Sequence, residues 1–475
     1  MRKPQPSNSQ RRLFLSLMAL AASGCAVGPD YVRPETPQSA ALTREPLATA
    51  GRAPVTHEWW KAFGSPELDR LVEQALERSL TLAAAEASLR AARENVVAQR
   101  GFFFPTVQAG YNASRQNVGQ NLSSPLTSGD ALYTYHTAQL SVNFVPDVFG
   151  GNRRAVEALE ATAEGQLEQL QAARVTLTSN LVAAALQDAV LGEQVAVTQQ
   201  AIEVTQQQLS AIRKLRANGY SSGIDVATQE NLLTQLQQTL PPLQRQREQT
   251  RDLIAVLSGH APDAALPRVS LADIRMPTLP AAVPSDLVAQ RPDVRAAETQ
   301  VHAASAGVGV AVAARLPQLS LTASLGNGAM RLADLFSAGS SVWAVGAGLL
   351  QPVFAGGTLS ARQRAAQAQL EATTAQYRNT VLAAFQNVAD ALYAIEIDSR
   401  ALGVAEAGEA ATNKTFELTR SQLRQGYATR PATLGTEQAW LQSKAARIAA
   451  HGTLIGDTVG LFQALGGGAL ARDPG

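Results

Sequence analysis

Gly219-Tyr220-Ser221-Ser222-Gly223 satisfies G-x-S-x-G, the pattern that exposes a nucleophilic serine in hydrolases. That chemistry needs a strand before the serine and a helix after it, so that a strained turn presents the hydroxyl. Here helical sequence stands on both sides, and a second copy, Gly426-Tyr427-Ala428-Thr429-Arg430, has no serine. The five histidines, His57, His136, His260, His302 and His451, show no metal-ligand spacing. His57-Glu58 is followed by Trp59-Trp60 and no second histidine, so it is not a zinc-protease helix. No Gly-Lys pair exists to build a phosphate loop, and Gly307-Val308-Gly309 lacks the third glycine of a dinucleotide site. No catalytic residue, metal or cofactor is expected, and the chain reads as a non-enzyme. The remaining chemistry lies in one cysteine, a few charges at turns and several tracts of strict alternation.

Cys25 is the only cysteine, so no internal disulfide can form. Arg2, Lys3, Arg11 and Arg12 precede the apolar run Leu13–Ala22, which ends at Ser23-Gly24-Cys25. This is the pattern of a secretory signal, residues 1–24, too short to span a bilayer. No other stretch reads as long and apolar enough for a membrane helix. Ala22-Ser23-Gly24-Cys25 resembles a bacterial lipobox, with Ala22 where a larger aliphatic residue is usual. The resemblance implies S-diacylglycerol and an N-acyl chain, such as palmitate, on Cys25. Ala26 follows, not the Asp that tends to retain lipoproteins at the inner membrane, which favours the outer membrane. Firm anchoring needs a second membrane contact.

Removing residues 1–24 takes the chain from 40 basic and 39 acidic residues to 36 and 39, a net charge of −3. No basic field of the kind that binds nucleic acid is present. With 45% hydrophobic and 17% charged residues, a packed protein is expected.

The chain is written twice. Asn218–Gly223 is echoed by Gln425–Arg430, 207 residues later, and Pro146-Asp147-Val148-Phe149 is echoed at Pro352-Val353-Phe354. Pro105 answers Pro317, and Gly259 answers Gly466. The expected organisation is an extended N-terminal segment at 25–64, a first repeat at 65–259, a linker at 260–284 and a second repeat at 285–468. Each repeat reads helix, strand, strand, long helix, turn, helix. Arg153–Ala217 and Leu359–Gln425 contain no proline and could each reach roughly 100 Å at 1.5 Å per residue. Val195, Ile202 and Leu209 recur every seven residues, the spacing of supercoiled helix packing. Gly219 and Gly426 fit the left-handed position that ends a helix, and Asp225 reads as the start signal of the next. Pro241-Pro242 is expected to kink or break that helix.

Four tracts alternate with period two. Val107, Ala109, Tyr111 and Ala113 alternate with Gln108, Gly110, Asn112 and Ser114. Ala138, Leu140, Val142 and Phe144 alternate with Gln139, Ser141 and Asn143. Leu319, Leu321, Ala323 and Leu325 alternate with Gln318, Ser320, Thr322 and Ser324. Trp343, Val345, Ala347 and Leu349 alternate with Ala344, Gly346 and Gly348. Strands are expected at about 106–115, 134–145, 318–326 and 342–350, in two hairpins. An α+β domain with one four-stranded sheet would satisfy this pattern. So would an outer-membrane barrel, with apolar residues toward lipid and polar residues toward the lumen. Four strands cannot close a barrel, so a membrane reading requires several chains to share one: two copies for eight strands, or three for twelve with room for a channel.

Cys25–Glu35, Trp59–Leu76, Leu279–Glu298 and Pro352–Gly357 resemble the outer-membrane efflux lipoproteins of the NodT type, in the TolC-like superfamily. Arg291-Pro292-Asp293 and the Val27–Tyr31 tract after the cysteine carry the most specific likeness. The resemblance implies a mainly α fold with a membrane β-barrel contribution. Three chains would share a twelve-stranded barrel and a tunnel of long antiparallel helices. It implies a passive export duct for small molecules, working with a periplasmic adaptor and an inner-membrane pump, often of the resistance-nodulation-division class. Ducts of other export systems, such as type I-like secretion, share this architecture. On this reading Val107, Tyr111, Leu140, Val142, Leu319, Leu321, Trp343 and Val345 face lipid. Gln108, Asn112, Ser141, Asn143, Ser320 and Thr322 face the lumen. The family's gate lies at the periplasmic helix tips, often with acidic residues. Asp225 matches such a position, and three copies would form a ring favouring cations. A plain helix-capping role is the alternative for Asp225. In the second tip the matching residue is Ala432, with Pro431, Arg424 and Arg430 nearby.

Overall fold

The computed structural model describes residues 26–35, 56–117, 131–278 and 288–468. The chain divides into two compact units, one drawn from Met1–Pro34, Leu89–Gln166 and Ala297–Tyr377, the other from Glu35–Ser88, Leu167–Ala296 and Arg378–Gly475.

The first unit holds the sheet. Its strands β1 (Thr106–Asn117), β2 (Leu132–Phe144), β3 (Gln318–Ala329) and β4 (Ser341–Leu350) form one antiparallel meander in the order β1-β2-β3-β4. The two expected hairpins are present, and β2 also pairs with β3 to join the repeats. β1 and β4 have no neighbour on their outer sides among the described residues. Residues 118–130, which complete the first hairpin loop, lie outside the described residues, as does Cys25.

The helices repeat the arithmetic of the sequence. Helices α1 (Pro66–Arg78) and α2 (Leu80–Arg100) precede β1, and α3 (Gly151–Ala217) and α4 (Gly223–Leu257) follow β2. Helix α5 (Pro292–Ala313) precedes β3, and α6 (Thr358–Arg424) and α7 (Arg430–Ala464) follow β4. α3 and α6 both have 67 residues, and α4 and α7 both have 35. A shift of 207 residues carries the ends of α3 and α4 onto those of α6 and α7.

The second unit is held by a heptad seam. Val190, Val197 and Val204 of α3 pack with Leu434, Leu441 and Ile448 of α7, each set spaced by seven. This seam runs beside the expected stripe, of which Val195 and Leu209 are buried and Ile202 is half-buried. Asp188 of α3 accepts from Arg247 Nε at 3.0 Å and Arg251 Nε at 3.1 Å, clamping α4. Arg291 donates to both oxygens of Asp293, at 3.0 and 2.7 Å, and to the Ala464 carbonyl at 2.7 Å. The Arg-Pro-Asp motif therefore starts α5 and satisfies an orphan carbonyl at the end of α7.

Three expectations are corrected. α4 runs through Pro241-Pro242 without a break. The carbonyls that lose donors belong to Gln237 and Gln238, which are exposed, so water can satisfy them. The N-cap of α4 is Ser222, not Asp225, which sits three residues in. One 18-residue window of α3 does reach a mean hydropathy of 1.2, but 67% of that window is buried, as a core helix requires.

Candidate functional site

The strand register sorts the side chains into two faces. Val107 pairs with Val142, Leu140 with Leu325, Leu325 with Trp343, Leu319 with Leu349, and Ala323 with both Val142 and Val345. Tyr111 pairs with Ala138, and Leu321 with Phe144 and Ala347, so one face carries all eight apolar residues singled out by alternation. Gln108 pairs with Ser141, Asn112 with Thr137, Asn143 with Thr322, and Ser320 with Gly348, which gathers the six polar ones on the other face. The apolar face is uncovered in the single chain: Trp343 is 74% exposed and Val345 76%. A soluble sheet would bury that face on a core. Tyr111 and His136 share it, their side chains 2.8 Å apart from Oη to Nδ1. Phe102, Phe104, Val353 and Phe354 are exposed where the sheet strands give way to the flanking segments.

Two turns close the long helix pairs of the second unit. Gly219 and Gly426 both have φ of +81°, where glycine avoids the Cβ clash. Tyr220 N donates to Leu215 O and Gly219 N to Arg216 O, while Tyr427 N donates to Gln422 O and Gly426 N to Leu423 O. This is the same Schellman closure twice. Gln208 of α3 accepts from Gln229 of α4 at 3.3 Å and approaches Gly435 of α7, so both turns stand at one end of the unit. The Asp225 carboxylate accepts from Ser222 N at 2.8 Å, Ser221 Oγ at 2.9 Å and Ser222 Oγ at 2.9 Å. Those bonds, the backbone one first, hold its pKa below the usual carboxylate value. Ser221 thus donates to the Asp225 carboxylate in a turn between two helices, without the strand-turn-helix setting that exposes a hydrolase serine.

The residues after Cys25 form a second site that the sequence reading did not resolve. Val27 N donates to Phe149 O at 3.2 Å, and the Arg154 guanidinium, almost fully buried, reaches Val27 O at 3.2 Å and Asp30 and Glu157 at 2.7 and 2.8 Å. Tyr31 donates to Glu298 at 3.2 Å and stacks on His302 at 4.3 Å, and His302 Nε2 lies 3.0 Å from Glu157. Arg33 pairs with Glu298 at 2.9 Å. Burial first, and then the Glu298 charge, push the Tyr31 hydroxyl well above its ordinary pKa. A Cβ on Gly28, whose φ is +100°, would stand 2.4 Å from the Cα of Gly309. The two glycines explain each other: the segment lies directly on α5. Residues 26–34 therefore strap α3 to α5, which belong to different repeats.

A four-stranded sheet with a bare apolar face, and with edges that have no neighbour among the described residues, is joined in one chain to paired long helices. The model of the outer membrane efflux protein family matches residues 71–260 and 283–467, and the chain belongs to that family. It is 34% identical over 436 residues to the pyoverdine export outer membrane protein OpmQ of Pseudomonas putida, covering 91% of this chain and 92% of that one. The probable efflux pump outer membrane protein TtgC of Pseudomonas putida is 29% identical, covering 96% and 95%. The solved outer-membrane channel OprN superposes with a TM-score of 0.83 at 29% identity, over 94% of this chain and 99% of that one. The chain is an outer-membrane component of an efflux system, with the mainly helical, β-barrel-contributing fold of those channels. Its similarity is to channels and not to enzymes.

Proposed function

We propose that three copies close one twelve-stranded barrel in the outer membrane and form a passive duct. The carrying observation is the sheet: an uncovered apolar face, a polar face behind it, and two edges, β1 and β4, without neighbours among the described residues. In hydrocarbon each unpaired backbone group costs several kcal/mol, so the edges must pair with other chains. Eight strands leave an interior that side chains fill, whereas twelve leave a bore, which an efflux component needs. The apolar face, with Val107, Tyr111, Leu140, Val142, Leu319, Leu321, Trp343 and Val345, meets lipid. Gln108, Asn112, Ser141, Asn143, Ser320 and Thr322 line the water-filled lumen. The exposed aromatics at the sheet–helix junction suit a membrane interface. Cys25, carrying three acyl chains, is the second anchor. The strap that follows it ties that anchor to α3 and α5.

The helix turns form the periplasmic gate, with Asp225, Arg424 and Arg430 as its charged residues. A periplasmic adaptor and an inner-membrane pump of the resistance-nodulation-division class dock there and supply energy and choice of cargo. OpmQ is named for pyoverdine export, and this duct passes small molecules of that size range, drugs and other toxic compounds among them.

Cysteine pairs test the shared barrel. One cysteine replaces Gln108 or Asn112 on β1, and one replaces Gly346 or Gly348 on β4. Within a chain β1 and β4 are three strand spacings apart, about 14 Å, beyond the roughly 7 Å that a disulfide spans. Oxidised membranes are expected to give dimers and trimers on a non-reducing gel for at least one pair. Monomer from every pair would contradict the shared barrel.

A further inference from the structure

The charge at the turn end of the second unit runs opposite to that of the rest of the chain. Arg213 is paired with Glu230 at 2.6 Å, and Arg420 with Glu417 at 3.3 Å. Beyond those pairs, Lys214, Arg216, Arg424 and Arg430 are exposed and make no ion pair among the described residues. Against these four cations, residues 214–225 and 421–432 hold one carboxylate, Asp225, already taken up by three hydrogen bonds from its own turn; the next, half-buried Glu437, lies deeper, level with Glu230 and beside Arg420. The turns thus carry a net +3 in a mature chain whose total is −3.

Two details separate this from an ordinary solvated surface. None of the four cations falls on its partner in the repeat: a 207-residue shift carries Lys214 to Ser421, Arg216 to Leu423, Arg424 to Ala217 and Arg430 to Gly223. Both turns are basic, at different positions. Arg430 also occupies the first residue of α7, where the helix dipole disfavours a cation. Helix stability does not account for that residue.

We propose that the periplasmic mouth is a cationic collar, which makes the duct prefer anionic solutes over cationic ones at its entrance. This inference rests on the trimeric reading, which places three sets of turns around one opening. The collar then carries about nine positive charges, and Asp225 supplies only three negative ones within that sum. The preference is strongest at low ionic strength, because screening shortens to about 8 Å at physiological salt.

The test uses the full-length, membrane-extracted protein. Reversal potentials across a planar bilayer under a potassium chloride gradient give the ratio of chloride to potassium permeability. A ratio above one is expected, falling toward one in Arg424→Gln/Arg430→Gln, which leaves a net +1 per chain, and rising in Asp225→Asn. Binding of inorganic tripolyphosphate and of spermine to the detergent-solubilised protein gives a readout that needs no open gate. Tripolyphosphate is expected to bind at low salt and to lose at least tenfold in affinity in the double variant, with spermine the weaker ligand throughout. Potassium preference in a verified trimer, or spermine binding that Asp225→Asn removes, would overturn the collar and restore an acidic mouth. A native mass of one chain would instead remove the trimeric reading, and the collar with it.

Discussion

Leu325→Arg is expected to reduce the amount of assembled outer-membrane protein to a small fraction, while Ser324→Arg assembles near the wild-type level. The two residues are adjacent in the middle of β3 but lie on opposite faces. Leu325 pairs with Leu140 and Trp343 on the apolar face, and Ser324 with Ser141 and Ala344 on the polar one. An arginine on the lipid face of a barrel strand costs about 2–4 kcal/mol near the midplane. Three chains multiply that to roughly 6–12 kcal/mol for one barrel, comparable with the whole stability of a domain. In the lumen the same side chain stays hydrated. The readout is heat-modifiable, protease-resistant protein in purified outer membranes. Equal assembly of the two variants would show that the faces are assigned wrongly.

Trp59→Ala is expected to destabilise the second unit by about 3–5 kcal/mol, the cost of truncating a large buried aromatic side chain. Trp59 is 2% exposed and stacks on Phe462 of α7 at a ring separation of 4.9 Å. Trp60 and Phe63 are buried beside it in a single turn of 3-10 helix, closed by Gly64 in the left-handed conformation. Phe462 lies near the end of α7, close to the carbonyl that Arg291 caps. The tryptophan therefore pins the chain after the strap onto the end of the second repeat. A thermal melt of the detergent-solubilised protein should show a drop of several degrees in the midpoint. A midpoint within a degree of wild type would mean that the turn does not hold the unit together.

The strands and the repeat were legible because each depends on short-range patterning. Period-two alternation fixes which residues share a face whatever the partner strand is, and the register groups the side chains as the alternation did. The 207-residue echo of one glycine turn locates the ends of four helices. Where the outcome depended on long-range geometry, the sequence was silent or misleading. Pro241-Pro242 signals a break, yet exposure of the freed carbonyls lets the helix continue. Asp225 has the right type for a cap, but Ser222 three residues earlier takes that role and recruits Asp225 as its reciprocal partner. The Val190–Val204 seam was hidden beside an equally spaced stripe on the same helix. The strap was the largest omission. Arg154, Glu157, Glu298 and His302 look like surface residues of unrelated segments until folding brings Asp30, Tyr31 and Arg33 across more than a hundred residues of sequence.

The shared barrel is tested most directly by the native mass of the protein extracted from outer membranes in detergent, measured beside a Cys25→Ser variant. The account predicts three chains, each heavier than the polypeptide from Cys25 onward by three acyl chains and a glycerol. In the variant that added mass is absent. A lipid-free single chain that leaves the membrane without detergent would contradict the account.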